Sequence, residues 1–357
     1  MEHLVGALGV IIIFGAIIAF HEFGHFIAAK WSKMGVHEFS LGFGPALWQH
    51  EYRGTLYALR IIPLGGYVRI AGMEPGEDAY QADGFETKPF YAKFATLIAG
   101  VLMNFVLALI IFIIMGMAIG YPSNRTRIAE VTPNSPARVA GIRAGDLVTR
   151  VNDKQNPNSN EAFELIHNSK PPVHLVVERA GKMYPVTVTP AMLPGSDHPI
   201  IGVMLEPTYK TVPPGESITR GITSVYQNTK MMLYGLWMLF SGKISLGSGE
   251  VMGPIGIIHF TGQVAQKALS SKEAMADFLM LFALISMNVG VVNLLPFPAL
   301  DGSRLLFLSI EKISRRSFNK EKEAMVHMVG MAILLTFIAF ISVIDILHWI
   351  HPPKGLH

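Results

Sequence analysis

Apolar residues along this chain gather into long unbroken runs instead of alternating with polar ones. Four runs stand out, at 4–29, 94–119, 278–297 and 325–347. Each is long enough to cross a hydrocarbon core of about 30 Å as a helix rising about 1.5 Å per residue. A shorter run at 231–240 predicts an interfacial or partly buried helix rather than a span. Met1, Glu2 and His3 precede the first run, while Lys30 and Lys33 follow it. A cleaved leader has its basic residues in front, so this run predicts a retained helix.

Between the runs the period changes. Residues 126–153 read as a short strand, a Pro/Ser turn, a short helix, and a Gly-Asp turn into another strand. Residues 174–192 alternate with period two around Ala180-Gly181, the pattern of a hairpin. A small α/β module is therefore expected over 122–207. The segment 36–86 is punctuated by glycine and rich in aliphatic and aromatic residues. It predicts a β region associated with the membrane and lining a cavity, with a hairpin turn at Leu64-Gly65-Gly66-Tyr67.

Composition agrees with a membrane protein: half of the 357 residues are hydrophobic and only 15% are charged, against about a quarter charged in soluble domains. A net charge of +3 is too small to argue for nucleic acid. With no cysteine, disulfides and thiolate metal sites are excluded. Four crossings put both termini on one side, and the segments 30–93 and 302–324 on the other. The second of these carries Arg304, Lys312, Arg315, Arg316, Lys320 and Lys322. Positive-inside bias makes that side cytoplasmic, and the termini and the long 120–277 loop extracytoplasmic.

The first run holds the chemistry. "GAIIAFHEFGHFIAAKW" (15–31) interrupts an apolar helix with His21, Glu22 and His25. Ionisable groups in a membrane helix cost about 2.5–3.5 kcal/mol each on insertion scales, so they point to function. The spacing i, i+4 stacks both imidazoles on one helix face, where they can share a zinc ion within reach of Glu22. In a soluble helix the same five letters also describe a satisfied histidine pair; the lipid setting is what shifts the weight. A catalytic zinc needs a third protein ligand. Asp301 follows the third run, after Pro296 and Pro298 break the helix, at the same membrane level as His21 and His25. Asp-Gly is also common turn chemistry.

These motifs resemble the site-2 protease family of intramembrane zinc metalloproteases, and most closely its bacterial branch with a single PDZ domain. HEFGH matches the first family motif, and "NLLPFPALDGSR" the second through Asn293, Pro296, Pro298, Leu300, Asp301 and Gly302, with Ser303 where a second glycine is frequent. "AGVLMNF" (99–105) matches the second span, with Val101 in place of proline. "GFGP" (42–45) and "PLGGYVRIAGM" (63–73) match the membrane-associated β region, including Gly65 and Gly66. "SPARVAGIRAGD" (135–146) is similar to a PDZ signature. "MGPIGIIH" (252–259) resembles a family segment of unassigned role, and His259 lies on the outer side, away from the other ligands.

The resemblance implies a mainly α polytopic membrane protein of about four transmembrane helices, a membrane-associated β region and an inserted extracytoplasmic PDZ domain. It implies an N-terminal membrane domain (1–120), the PDZ domain (121–208), an extracytoplasmic linker region (209–276) and a C-terminal membrane domain (277–357). His21, His25 and Asp301 would hold one Zn²⁺, and Glu22 would be the general base. Asn288 and Asn293 would hold the substrate backbone, although interhelical packing also accounts for Asn288; Asn104 reads as a packing residue. Strands over 55–72, with Gly65 and Gly66, would receive the substrate by β-addition. Ile128 to Val131 would be the PDZ groove strand, taking a peptide or carboxyl terminus, or the module would act only as a steric filter.

The implied activity is hydrolysis within single-span membrane proteins in regulated intramembrane proteolysis, at the bacterial cytoplasmic membrane near its inner face. Membrane-anchored anti-sigma factors and remnant signal peptides both suit it as substrates. Two other readings compete: a transporter, which calls for inverted repeats not found in the sequence, and a membrane scaffold built around the PDZ module, which needs neither HExxH nor Asp301.

Overall fold

A computed structural model describes residues 2–73, 82–193, 196, 198–243, 252–316 and 318–350. Parts of the expected β region (74–81) and of the 209–276 linker (244–251) lie outside them. In chain order the elements are α1 (Glu2–Trp31), β1 (Val36–Tyr52), β2 (Thr55–Ile70), α2 (Phe90–Ala118), β3 (Tyr121–Val131), α3 (Pro136–Val139), β4 (Leu147–Val151), β5 (Lys154–Gln155), α4 (Ser159–Asn168), β6 (Val173–Arg179), β7 (Lys182–Val188), β8 (Val203–Lys210), α5 (Pro214–Phe240), α6 (Pro254–Lys267), α7 (Lys272–Asn293), α8 (Asp301–Ser314) and α9 (Lys320–Ile350). The chain divides into two compact units, one of Met1–Ile114 with Pro214–Leu356 and one centred on Met115–Pro213.

In the first unit the four long apolar runs are all helices. His3–Trp31, Phe90–Ala118, Lys272–Asn293 and Glu321–Leu347 have mean hydropathies of 2.5, 3.0, 2.0 and 2.5, each long and apolar enough to cross a membrane. Their outward faces carry exposed Leu8, Ile12, Leu102, Ile114, Ile333 and Phe337, the side chains lipid accepts. Where α1 meets α6 the contact is made by small residues, which let backbones approach where no hydrophobic drive separates protein from lipid. On α1, Gly6 lies against Gly262 and Gln266 of α6, and Gly9 against Ala265. The 231–240 run is the end of α5, a longer amphipathic helix than its ten apolar letters suggest.

The β region corrects the expected turn. The chain reverses at Arg53-Gly54, both at positive φ (49° and 72°), and not at Leu64–Tyr67. Gly65 and Gly66 lie inside β2. Both strands bend, so that Glu38–Leu41 pairs with Gly66–Arg69 and with Leu56–Leu59, while Ala46–Glu51 pairs with Leu56–Arg60. The segment at 55–59 is thus interior, and 66–70 forms an edge. A polar network pins this register. Arg60 donates to Ser40 Oγ (2.7 Å), to the Gly44 carbonyl (2.7 Å) and to Glu38 Oε1 (2.6 Å), and the Tyr67 hydroxyl donates to the same Glu38 oxygen (2.7 Å). Burial works to raise the Glu38 pKa, but the Tyr67 and Arg60 donors together hold it below the ordinary range.

"MGPIGIIH" acquires a role at the start of α6. Asp345, on α9, accepts from the amides of Gly253 (2.9 Å) and Gly256 (2.8 Å). The α6 N-terminus has no side-chain cap of its own, so a carboxylate from another helix satisfies orphan donors that lipid cannot.

The second unit is a six-stranded sheet in the order β7-β6-β4-β3-β8, with β5 on β4. The hairpin at Ala180-Gly181 joins β6 to β7 as expected, again through two positive-φ residues. Ser135 caps α3 and a reciprocal Asn158–Glu161 box caps α4. Its core gathers Ile128, Ile142, Val151, Leu175 and Val188. Asp146, almost fully buried, is held bidentately by Arg179 (2.7 and 2.6 Å) and by the Arg143 amide (2.9 Å). One expectation fails here. Ile128–Val131 is not an open edge: β8 pairs it on one side, and Gly145 and Asp146 bond the Ile128 backbone on the other. The outer strands are β7 and β8.

Replacing Asp345 by Ala should cost about 1–2 kcal/mol through the two uncapped α6 amides, read as a lowered thermal midpoint in detergent. Asp345→Asn, which keeps one acceptor, should fall between the two.

Candidate metal centre

Three side chains from two elements meet at one point. His21 and His25 come from α1, and Asp301 from the first residue of α8. Asp301 Oδ2 lies 3.1 Å from His21 Nε2 and 3.2 Å from His25 Nε2, and the two imidazole nitrogens are 3.2 Å apart. No other His, Asp or Glu cluster suited to a metal occurs among the described residues. The triangle's edges approach the ~3.3 Å edge of a tetrahedron built on bonds of about 2.0 Å to zinc. No hydrogen-bond partner satisfies the buried Asp301 Oδ2. Two imidazole nitrogens and a carboxylate oxygen converging on one point are a donor set that a divalent cation fits.

The ring orientations agree. His25 Nδ1 donates to the Thr96 carbonyl of α2 (2.8 Å), which sets the tautomer and leaves the Nε2 lone pair facing Asp301 and His21. Asn104, also on α2, faces His21 Nδ1 at 3.2 Å, with its Oδ1 buried and unpartnered. Turning that amide over gives Oδ1 the His21 Nδ1–H, since amide orientation is set by the network around it. Asn104 is therefore more than the packing residue expected from the sequence.

What lets α2 come this close is glycine. A side chain at Gly100 would overlap the His25 ring, and one at Gly24 would overlap the Ala99 carbonyl. Behind Asp301, α9 braces the loop. His327 Nδ1 accepts from the Ala299 amide (3.2 Å) and lies 3.4 Å from Ser303 Oγ. Ala299 sits at a φ of 83°, costly for a residue with a Cβ. Gly330 leaves room for Pro298. Sequence reasoning passed over His327, although an ionisable side chain inside the fourth apolar run was its signal.

The other sequence candidates are placed unequally. Glu22 lies within electrostatic range of both histidines and Asp301 and within reach of the Val68 backbone. Gly66 packs against Ile18 and Glu22, so the sheet edge at 66–70 runs beside the site. Gly65 lies under the Phe43 ring. Asn288 is exposed on α7 and Asn293 is its last residue; neither hydrogen-bonds to His21, His25 or Asp301. Ile128 and Val131 belong to the second unit.

Residues 9–337 match the model of peptidase family M50. The chain belongs to peptidase family M50, the site-2 proteases. It is similar to the zinc metalloprotease RasP of Geobacillus kaustophilus, 31% identical over 97% of this chain and 99% of that one. It is also similar to the zinc metalloprotease RasP of Oceanobacillus iheyensis, at 30% over 94% and 97%. The regulator of sigma-W protease RasP of Bacillus subtilis matches at 29% over the same shares.

A Gly100→Ala variant of this M50 member should lose stoichiometric zinc by atomic emission, because its methyl group takes the space of the His25 ring. His327→Leu should weaken zinc binding by about 10–100-fold, the range for lost outer-shell support. His327→Asn, with an acceptor near the Nδ1 position, should recover most of that affinity, and equal loss in both would remove the hydrogen bond as the cause.

Proposed function

We infer that the chain is an intramembrane zinc metalloprotease of regulated intramembrane proteolysis, with His21, His25 and Asp301 as the zinc ligands and Glu22 as the general base. The observation that carries the ligand assignment is the triangle of Nε2, Nε2 and Oδ2 atoms, 3.1–3.2 Å apart, drawn from two separate helices. When bound, zinc supplies Lewis acidity to activate water and polarise the scissile carbonyl. Glu22, one residue from a ligand, takes the water proton and passes it to the leaving amine. The Thr96 carbonyl accepts from His25 Nδ1, which orients the ring with Nε2 toward Asp301 and makes that nitrogen the more basic donor to a metal.

A transmembrane substrate hides its carbonyls in its own helical bonds, and these need new partners once it unwinds. The open edge at 66–70 offers them, with Gly66 letting that strand lie close to Glu22 and Gly65 making room for the Phe43 ring, and Asn288 and Asn293 toward the end of α7. Candidate substrates are single-span membrane proteins such as anti-sigma factors, in keeping with the name of the Bacillus subtilis relative, a regulator of sigma-W protease, or remnant signal peptides. With each apolar helix crossing once, the metal site lies on the side where α1 ends and α8 begins, and the basic residues after Asp301 favour that side as cytoplasmic.

The second unit, 121–208 by sequence, is read as an extracytoplasmic PDZ-like module between the membrane domains 1–120 and 277–357. Its two capped helices and antiparallel sheet support that reading. If it captures an extended peptide, the β8 edge serves and not Ile128–Val131.

Glu22→Gln should retain one zinc per chain and lower cleavage of a transmembrane reporter by about 10²–10⁴-fold. His21→Ala and Asp301→Ala should each lose the metal. Full zinc in both of the latter variants would refute the ligand assignment; retained cleavage in the former would refute Glu22 as base.

A further inference from the structure

A second cluster of ionisable groups lies away from the metal, where α8 ends beside the start of α2. A cavity of about 250 Å³ is lined there by Lys88, Lys93, Lys312, Arg315, Arg316 and Phe90. Glu311 is the one acid in its wall, and its carboxylate already accepts from the Phe318 amide (2.7 Å). Lys93 is paired with Glu86 (2.6 Å). Lys312 lies over the Phe90 ring (5.8 Å to its centre), which draws one cation into the mouth of the cavity. The wall is strongly cationic, with two arginines able to hold an oxyanion in a planar fork.

The surroundings place the cavity at a membrane surface. Phe90 is the first residue of the most apolar span. Tyr91 is 74% exposed, and Trp31, where α1 ends, is 85% exposed. Exposed Trp and Tyr at helix ends are the residues of the headgroup belt. The helix α8 is amphipathic: Leu306, Ile310 and Ile313 are exposed at spacing i, i+4, i+7, and Lys312, Arg315 and Arg316 follow at its end. That is the pattern of a helix lying in the interface with cations over anionic lipid.

We propose that this cavity is a binding site for the phosphodiester headgroup of an anionic phospholipid, whose acyl chains run along the exposed aliphatic face of α8. Free phosphate shares the headgroup chemistry but would leave that aliphatic face without a partner. The site would tether one end of the helix whose first residue is Asp301.

The test uses the full chain released from membranes into neutral detergent, with bound lipid measured by native mass spectrometry. Phosphatidylglycerol and phosphatidylcholine are offered in turn. A Lys312→Gln, Arg315→Gln, Arg316→Gln triple variant is compared with a charge-matched control, Lys33→Gln, Arg53→Gln, Lys322→Gln. Each Lys or Arg near an anionic surface contributes a factor of about five, so the pocket variant should bind phosphatidylglycerol roughly a hundredfold more weakly. The control should match the unmodified protein.

Equal loss in the control would reduce the effect to diffuse surface charge and overturn the site. Equal retention of phosphatidylcholine would overturn the anionic headgroup. Displacement of the lipid by millimolar inorganic phosphate would assign the cavity to free phosphate instead. Zinc content reports folding throughout. Should the triple variant fail that check, Arg316→Gln alone, at an exposed position, should lower binding about fivefold, and no change would overturn the proposal.

Discussion

Three ionisable side chains that lipid would reject are tolerable here because each is turned toward the other two. The remainder of the membrane unit serves that convergence. Two imidazoles on one face of α1 are inexpensive to arrange, since helical periodicity alone stacks them. Bringing a carboxylate to them from a residue 276 positions away by chain is not (His25 to Asp301). It takes a helix that stops at Asn293, a loop that turns at Ala299, and a new helix whose first residue is Asp301.

The fit is held from two sides. On one, α2 presses its backbone against the histidines, and Gly24 and Gly100 set the distance at which Thr96 and Asn104 can reach the rings. On the other, α9 holds the loop before Asp301 through His327 and Gly330. Neither support touches the metal position directly. Both act on the orientation of groups that do, which is the usual division of labour in a metal site. The β region contributes differently, by laying the strand edge at 66–70 against Glu22; in the proposed function that edge supplies hydrogen-bond partners to an unwound substrate.

Much of this was legible in the chain. Helices in lipid must satisfy their backbones internally and show apolar faces outward, so the four spans announced themselves. His21, Glu22, His25 and Asp301 were conspicuous because polar atoms are costly there. What was not legible depended on partners distant in sequence. Gly65-Gly66 reads locally as a turn, but the glycines serve a bent strand and close approach to α1, and Arg53-Gly54 makes the turn. The interior position of Ile128–Val131 is a matter of strand order, which local pattern does not encode. His327 and Asp345 sat in plain view inside an apolar run, yet only the fold reveals that one braces Ala299 and the other caps α6.

The proposed chemistry depends on which atoms surround the metal. Zinc K-edge X-ray absorption of the purified full chain measures that directly. The predicted spectrum is a four-coordinate shell of nitrogen and oxygen at about 2.0 Å with the outer scattering of two imidazoles. A six-oxygen shell without imidazole scattering, or a count of imidazoles other than two, would contradict the centre built by His21, His25 and Asp301.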